Sequence, residues 1–246
     1  MSTNLYVSTS AAVSRLSQLE ILANNLANSD TTGFKADRPL FEATLESAIL
    51  DSQGNPAPGA PGLSFVGQSG VRTDHTGGSV WHTGRPLDVA IEGPGFFLVD
   101  TPVGARYTRA GSFVVDAEGN LATPAGHPVL GEGGPIAVGD RPVRILAGGQ
   151  VSDDQNKVVG RLRLEEFDDP ALLTKEGDGL FQAPPLAVGL PMERISLVEG
   201  ALERSNVHPV QELASLIILQ RAFDVSMRIL RNDDAATERL LREVSQ

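Results

Sequence analysis

The chain has 246 residues, 41% hydrophobic and 5% aromatic, with 26 glycines, 16 prolines and no cysteine. That is enough chain for a hydrophobic core, and the turn-forming residues point to many short strands rather than a helical bundle throughout. A formal net charge of -11, with the acidic residues scattered, excludes nucleic acid and anionic membrane surfaces as attractive partners, and the missing cysteines remove disulfides, thiolate catalysis and cysteine-ligated metals.

The opening stretch Met1–Leu19 has no basic start, no continuous apolar core and no small-residue cleavage site, so it does not read as a Sec signal peptide. No apolar run approaches the ~20 residues that span a bilayer, and direct membrane insertion is not expected. Leu5, Thr9, Ala12, Leu16, Leu19, Ala23 and Leu26 recur at alternating spacings of four and three, the seam of a coiled-coil helix. The seam stops at Asn28-Ser29-Asp30-Thr31-Thr32-Gly33, where side chains that compete for backbone hydrogen bonds and a glycine end a helix; the first element ends near Ala27.

A weaker apolar stretch (Phe41, Leu45, Ile49) precedes Gln53–Gly62, whose prolines and glycines read as a linker. From Leu63 to about Leu190, β-branched and aromatic runs alternate with glycine, proline and aspartate: Leu87–Ile91, Phe96–Val99, Ser112–Val115, Val143–Leu146 and Val158–Phe167. After Pro209 there is neither proline nor glycine. Leu213, Leu216, Gln220, Phe223, Met227, Leu230, Asp234, Thr237, Leu241 and Val244 continue the three-four spacing, with Ser205 or Asn206 as caps and Pro209 in the first turn.

The fold class is therefore α+β: long terminal helices forming a coiled-coil-like core, with a central antiparallel β-rich domain. Residues 1–35 carry the first helix and its turn, 36–80 an extended linker, 81–190 the β domain, and 191–246 a return segment and the last helix. Two helices joined along one narrow seam are marginal in water, which asks for further helices from neighbouring chains. A monomer in which both helices pack on each other and on the β domain is the alternative. Gln220, Asp234 and Thr237 either fix register in the seam or face solvent.

Three blocks carry a resemblance. Ala23-Asn24-Asn25-Leu26-Ala27-Asn28-Ser29-Asp30-Thr31-Thr32-Gly33-Phe34-Lys35 resembles the N-terminal signature of flagellar rod, hook and hook-associated axial proteins. Thr83-Gly84, Leu87–Ile91, Gly93, Gly95-Phe96-Phe97, Tyr107-Thr108-Arg109 and Gly111-Ser112-Phe113 resemble the start of that family's central domain. Gly200-Ala201-Leu202-Glu203-Arg204-Ser205-Asn206-Val207, followed by Gln220-Arg221-Ala222-Phe223-Asp224, resembles its C-terminal part. Leu5-Tyr6-Val7, Thr32, the compact centre and Phe223-Asp224 favour a proximal-rod member; a distal-rod member is the alternative, and hook subunits carry a larger insertion.

The resemblance implies a structural subunit of the basal-body rod, the torque-transmitting shaft, partnered by other rod proteins and by copies of itself and needed for flagellum assembly and motility. It implies export by the flagellar type III apparatus without a cleaved peptide, a periplasmic location in the rod, and helices that order on assembly. Asn24, Asn25, Leu26, Asn28, Thr32, Gly33, Phe34 and Lys35 would then shape the N-terminal turn and its contacts. Glu203, Ser205, Asn206 and Val207 would set the entry to the last helix, and Gln220, Arg221 and Phe223 would make contacts in the tube.

No enzyme constellation is present. Gly93-Pro94-Gly95 lacks the rest of a dinucleotide fingerprint, Gly67-Gln68-Ser69-Gly70-Val71 lacks the last glycine of a nucleophile elbow, and no phosphate loop occurs. His75, His82, His127 and His208 are scattered, and Asp153-Asp154 and Asp168-Asp169 sit beside turn residues, so no catalytic residue, metal site or cofactor is assigned. A coiled-coil secreted binding module would share the helices and strands, but not the first and third blocks together.

Overall fold

The computed structural model describes residues 3–46, 63–185, 187, 189–192 and 196–244. Two compact units emerge, one from Met1–Leu26, Asp37–Arg72 and His208–Gln246, the other from Ala27–Ala36 and Thr73–Val207. The expected linker Gln53–Gly62 and Ile49 lie outside the described residues.

The first unit holds α1 (Thr3–Ala27), α2 (Pro209–Val244) and the paired strands β1 (Asp37–Glu46) and β2 (Leu63–Thr73). Proline opens α2 because its missing N–H is one of the donors a first turn leaves unpaired. Ser205 and Asn206 do not cap this helix; the amides of Gln211 and Glu212 both donate to the carbonyl of His208 at 3.0 Å. No helix among the described residues is long and apolar enough to cross a membrane.

The expected coiled-coil core is not there. Among the described residues α1 and α2 are the only α-helices, and much of the predicted seam faces outward: Leu16 is 48% exposed, Leu213 45%, and Ala23 and Gln220 are exposed as well. Among the described side chains the buried ones are Ala12, Ile21 and Asn25 on α1 and Glu212 and Ser226 on α2, mostly too small or too polar to serve as knobs in holes. Between the helices, Arg15 Nη1 donates to Ala222 O at 3.1 Å. Each helix is instead tied to β1. The Asn25 side chain donates to Asp37 O and accepts from Asp37 N, both at 2.9 Å, and Arg38 bridges Glu212 at 3.2 Å. Leu5, Leu230, Asp234, Thr237, Leu241 and Val244 lie outside the residues whose side chains are described.

The second unit is β-rich. Strands β3 (Val80–His82), β4 (Val89–Ile91), β5 (Phe96–Thr101) and β6 (Gly104–Thr108) follow one another in the chain. A six-stranded antiparallel sheet runs in the order Thr174–Lys175, Leu180–Gln182, β6, β5, Leu164–Glu166, Leu190–Pro191. Neighbours along a strand point to opposite faces. Phe97 and Val99 of β5 therefore enter the main core, where Phe97 meets Phe113 edge-on at 5.1 Å, while Phe96 joins Phe167 and Phe181 on the other side at 6.0 and 5.7 Å.

The run Val158–Phe167 divides in two. Val158–Arg161 pairs with Gln150–Asp153 in a three-stranded sheet and Leu164–Glu166 with β5; between them Leu162 N reaches Gly149 O and Arg163 N reaches Leu130 O. A second switch sits near the end of the unit. Leu197–Glu199 pairs with β4, Gly200 turns at φ +59, and Ala201–Glu203 pairs with β3.

Candidate assembly site

The turn after α1 is fastened within the second unit, and Gly33 makes the first attachment. Its amide donates to Glu203 O at 2.8 Å, its φ is +67, and a Cβ there would stand 2.5 Å from Ala110 N and Arg109 C. Only glycine combines that conformation with so close a backbone. Phe34 follows, buried against Ala36 and Val207, with Lys175 Nζ 3.6 Å from its ring centroid. Lys175 Nζ also donates to Lys35 O at 2.6 Å.

Lys35 lies wholly inside the protein. Its ammonium donates to Glu203 Oε1 at 2.5 Å and to Thr76 O at 2.8 Å, with side-chain exposures of 0% for Lys35 and 3% for Glu203. Burial holds the Lys35 pKa below the usual lysine range, and the charge and hydrogen bond of Glu203 oppose that shift. The same carboxylate accepts from Gly78 N at 2.9 Å and faces Arg109 Nη1 at 3.6 Å. Arg109 in turn donates to Gly93 O at 2.9 Å and stands 5.0 Å from the Phe96 ring centroid; burial lowers its pKa too. Two cations thus converge on one buried carboxylate.

Asn206 fastens the other side. Its Oδ1 accepts from Ala36 N at 2.7 Å and its Nδ2 donates to Asp74 O at 2.8 Å, while Ser205 Oγ accepts from Val207 N at 3.2 Å. His75 packs its ring 5.2 Å from Phe181 and 5.6 Å from Phe96, and neither ring nitrogen has a hydrogen-bond partner. Burial first, then the charges of Lys35 and Arg109, depress its pKa from 6.5 to about 4. A cavity of about 420 Å³ adjoins the cluster, lined among others by His75, Phe96, Arg109 and Glu203. The described residues contain no group of three or more histidines, cysteines and carboxylates placed to hold a metal ion.

Of the residues singled out from sequence, Gly33, Phe34, Lys35, Glu203, Ser205, Asn206 and Val207 come together here. Asn28 shapes the turn, accepting from Thr31 Oγ1 at 3.1 Å, with Thr32 half-buried beside it. Asn25 is buried in the first unit, where Leu26 is half-buried and Asn24 exposed. Gln220 and Arg221 are exposed on α2, with Phe223 half-buried, and none of the three belongs to the turn. The residues not anticipated are Asp74, His75, Thr76, Arg109 and Lys175. Arg109 stood in the second block of the resemblance; the rest lie in stretches without period or motif.

Comparisons with known proteins follow the same three blocks. Residues 5–35 match the family model "Flagella basal body rod protein", residues 90–153 "Flagellar hook protein FlgE/F/G D1 domain", and residues 198–243 "Flagellar basal body rod FlgEFG protein C-terminal". The flagellar basal-body rod protein FlgF of Caulobacter vibrioides is 37% identical over 250 residues, covering 98% of each chain. FlgF of Salmonella typhimurium is 35% identical, covering 94% of this chain and 93% of its own. FlgG of Buchnera aphidicola subsp. Acyrthosiphon pisum is 32% identical, covering 96% of this chain and 98% of its own. Agreement of this extent over both helices and the β-rich middle means that the chain belongs to the flagellar basal-body rod protein family, as a FlgF-type member.

Proposed function

We propose that this chain is a structural subunit of the flagellar basal-body rod, working by packing against other rod proteins and copies of itself, in the proximal part of the shaft. The relatives it matches are rod proteins by name, not enzymes. The observation that carries the reading is the uncovered apolar surface of α2. Val210, Leu213, Ile217, Ile218, Val225 and Ile229 are all exposed, and contiguous apolar exposure on a helix marks a surface that another protein covers.

In this reading the Lys35–Glu203–Asn206 fastening preserves the subunit's own shape, and the outward residues of α2, with Gln220 and Arg221 among them, meet the neighbours. Asn25, Asn28, Gly33 and Phe34 act one step back, by shaping the turn that follows α1. Export through the flagellar type III apparatus, arrival in the periplasm and retention of the N-terminus complete the proposal.

A deletion strain complemented with the tagged chain tests it. Purified basal bodies should carry the tagged chain in the rod, beginning at Met1 or Ser2 by N-terminal sequencing, and the uncomplemented strain should not swim. Normal rods in the deletion strain would sink the proposal, and a trimmed N-terminus would sink its export route.

A further inference from the structure

The chain's one tryptophan sits on its surface. Trp81, the middle residue of β3, is 57% exposed, and the guanidinium of Arg204 lies 5.7 Å from its ring centroid. Trp81 stands opposite Leu202 in the ladder, and among the described residues β3 pairs along that edge alone. Strand alternation turns Val80 toward the cavity beside Glu203 and sends Trp81 to the opposite face.

An indole held open to water under an arginine is unusual as a resting surface. Tryptophan and arginine dominate the energetics of protein contacts, and a cation over an indole gains most when water is driven off. Among the described residues no carboxylate forms an ion pair with Arg204, although the net charge is -11 and the pI about 4.8.

We propose that Trp81 and Arg204 form a contact surface that takes an acidic loop of a second copy of this chain. Charge argues for that occupant. The rest of the molecule is predominantly acidic, so another copy offers carboxylates to Arg204, whereas pairing the patch with itself would bring two Arg204 guanidiniums together. A patch that meets a different surface on the next copy leaves each copy with one half still to fill, and such contacts propagate instead of closing into a dimer. This rests on the rod-subunit reading and adds the surface through which copies meet.

Because Trp81 is the chain's only indole, its own fluorescence reports on the patch. The purified full-length chain is concentrated while emission and light scattering are followed together, with Trp81→Phe as the blank. The expected result is association with a blue shift of the emission, weakened by salt and lost in Arg204→Glu, whose thermal stability matches the parent. Association without a shift, a shift that survives Arg204→Glu, or a chain that stays monomeric overturns the proposal. So does a shift seen only when a different rod protein is added. None of these touches the rod reading, which stands or falls with the deletion strain.

Discussion

Replacing His75 with phenylalanine should remove a pH dependence from folding while leaving the packing in place. The neutral ring packs on Phe96 and Phe181, and its nitrogens have no hydrogen bond to lose, so a phenyl ring fits the same contacts. The charged groups around it are Lys35, Arg109 and Lys175, which oppose its protonation, and Asp74, which favours it; Glu203 and Glu166 also line the adjoining cavity. A pKa depressed from 6.5 to about 4 means that between those two values the unfolded chain binds more protons than the folded one. Stability therefore falls as pH drops through that window, and below it His75 contributes no further change. At about 1.4 kcal/mol per unit of pKa the loss attributable to His75 has a ceiling of about 3 kcal/mol, and solvent screening at this half-buried ring brings it to about 2 kcal/mol. Urea unfolding followed by circular dichroism, in paired buffers from neutral to mildly acidic pH, isolates the effect, because carboxylates common to both proteins cancel in the difference. At neutral pH His75→Phe should be at least as stable as the parent, and its advantage should grow on acidification. Parallel profiles, differing by less than about 1 kcal/mol across the window, would refute the argument that His75 is held neutral by burial of its ring nitrogens and by three nearby cations.

Lys35→Met leaves Glu203 buried with Gly78 N–H and Arg109 but without its ammonium. Breaking one side of such a pair costs about 3 to 5 kcal/mol, measurable by urea unfolding, and adding Glu203→Gln should recover part of it. Gly33→Val places a β-branched residue at φ +67 against the backbone of Arg109 and Ala110, with a conformational cost of about 1 to 2 kcal/mol before any clash. Hydrogen exchange should speed up at the amide of the substituted position while the β5–β6 ladder stays protected, and cells carrying the variant should not swim; normal swimming would count against this turn as an assembly element. Ile218→Asp, at a position 69% exposed, should change monomer stability by less than about 0.5 kcal/mol yet abolish motility in a swimming assay.

Helix ends and short strands could be read directly because their signals are local. The Asn28–Gly33 turn stops α1 at Ala27, Pro209 starts α2, and β5 shows itself as a short aromatic and aliphatic run bounded by glycine and aspartate. The seam of the helices could not be placed in the same way. On α2 the covered stripe passes through Glu212, Leu216, Leu219, Phe223 and Ser226, while the expected one passed through Leu213, Leu216, Gln220, Phe223 and Met227. Both keep three-four spacing, and only tertiary contacts, such as the Arg38–Glu212 bridge, decide between them. The site divided similarly. Gly33, Phe34 and Asn206 carry local signals, but a buried lysine finding its carboxylate far along the chain leaves no period, and Asp74, His75 and Thr76 look like any polar loop. Ser205 and Asn206 had the right chemistry for capping and spend it elsewhere.

The fastening of Lys35 to Glu203 and of Ala36 to Asn206 joins residues 168 and 170 positions apart. A ribosome adding about 5 to 20 residues per second needs roughly ten to thirty seconds to go from one partner to the other. Throughout that interval the Gly33–Ala36 stretch has been made but lacks Glu203 and Asn206, the two residues that complete its fastening, while β5 and β6, neighbours in the chain, can already pair. The earliest part of the molecule to be synthesised is therefore among the last to be secured, and the closing step waits for Asn206.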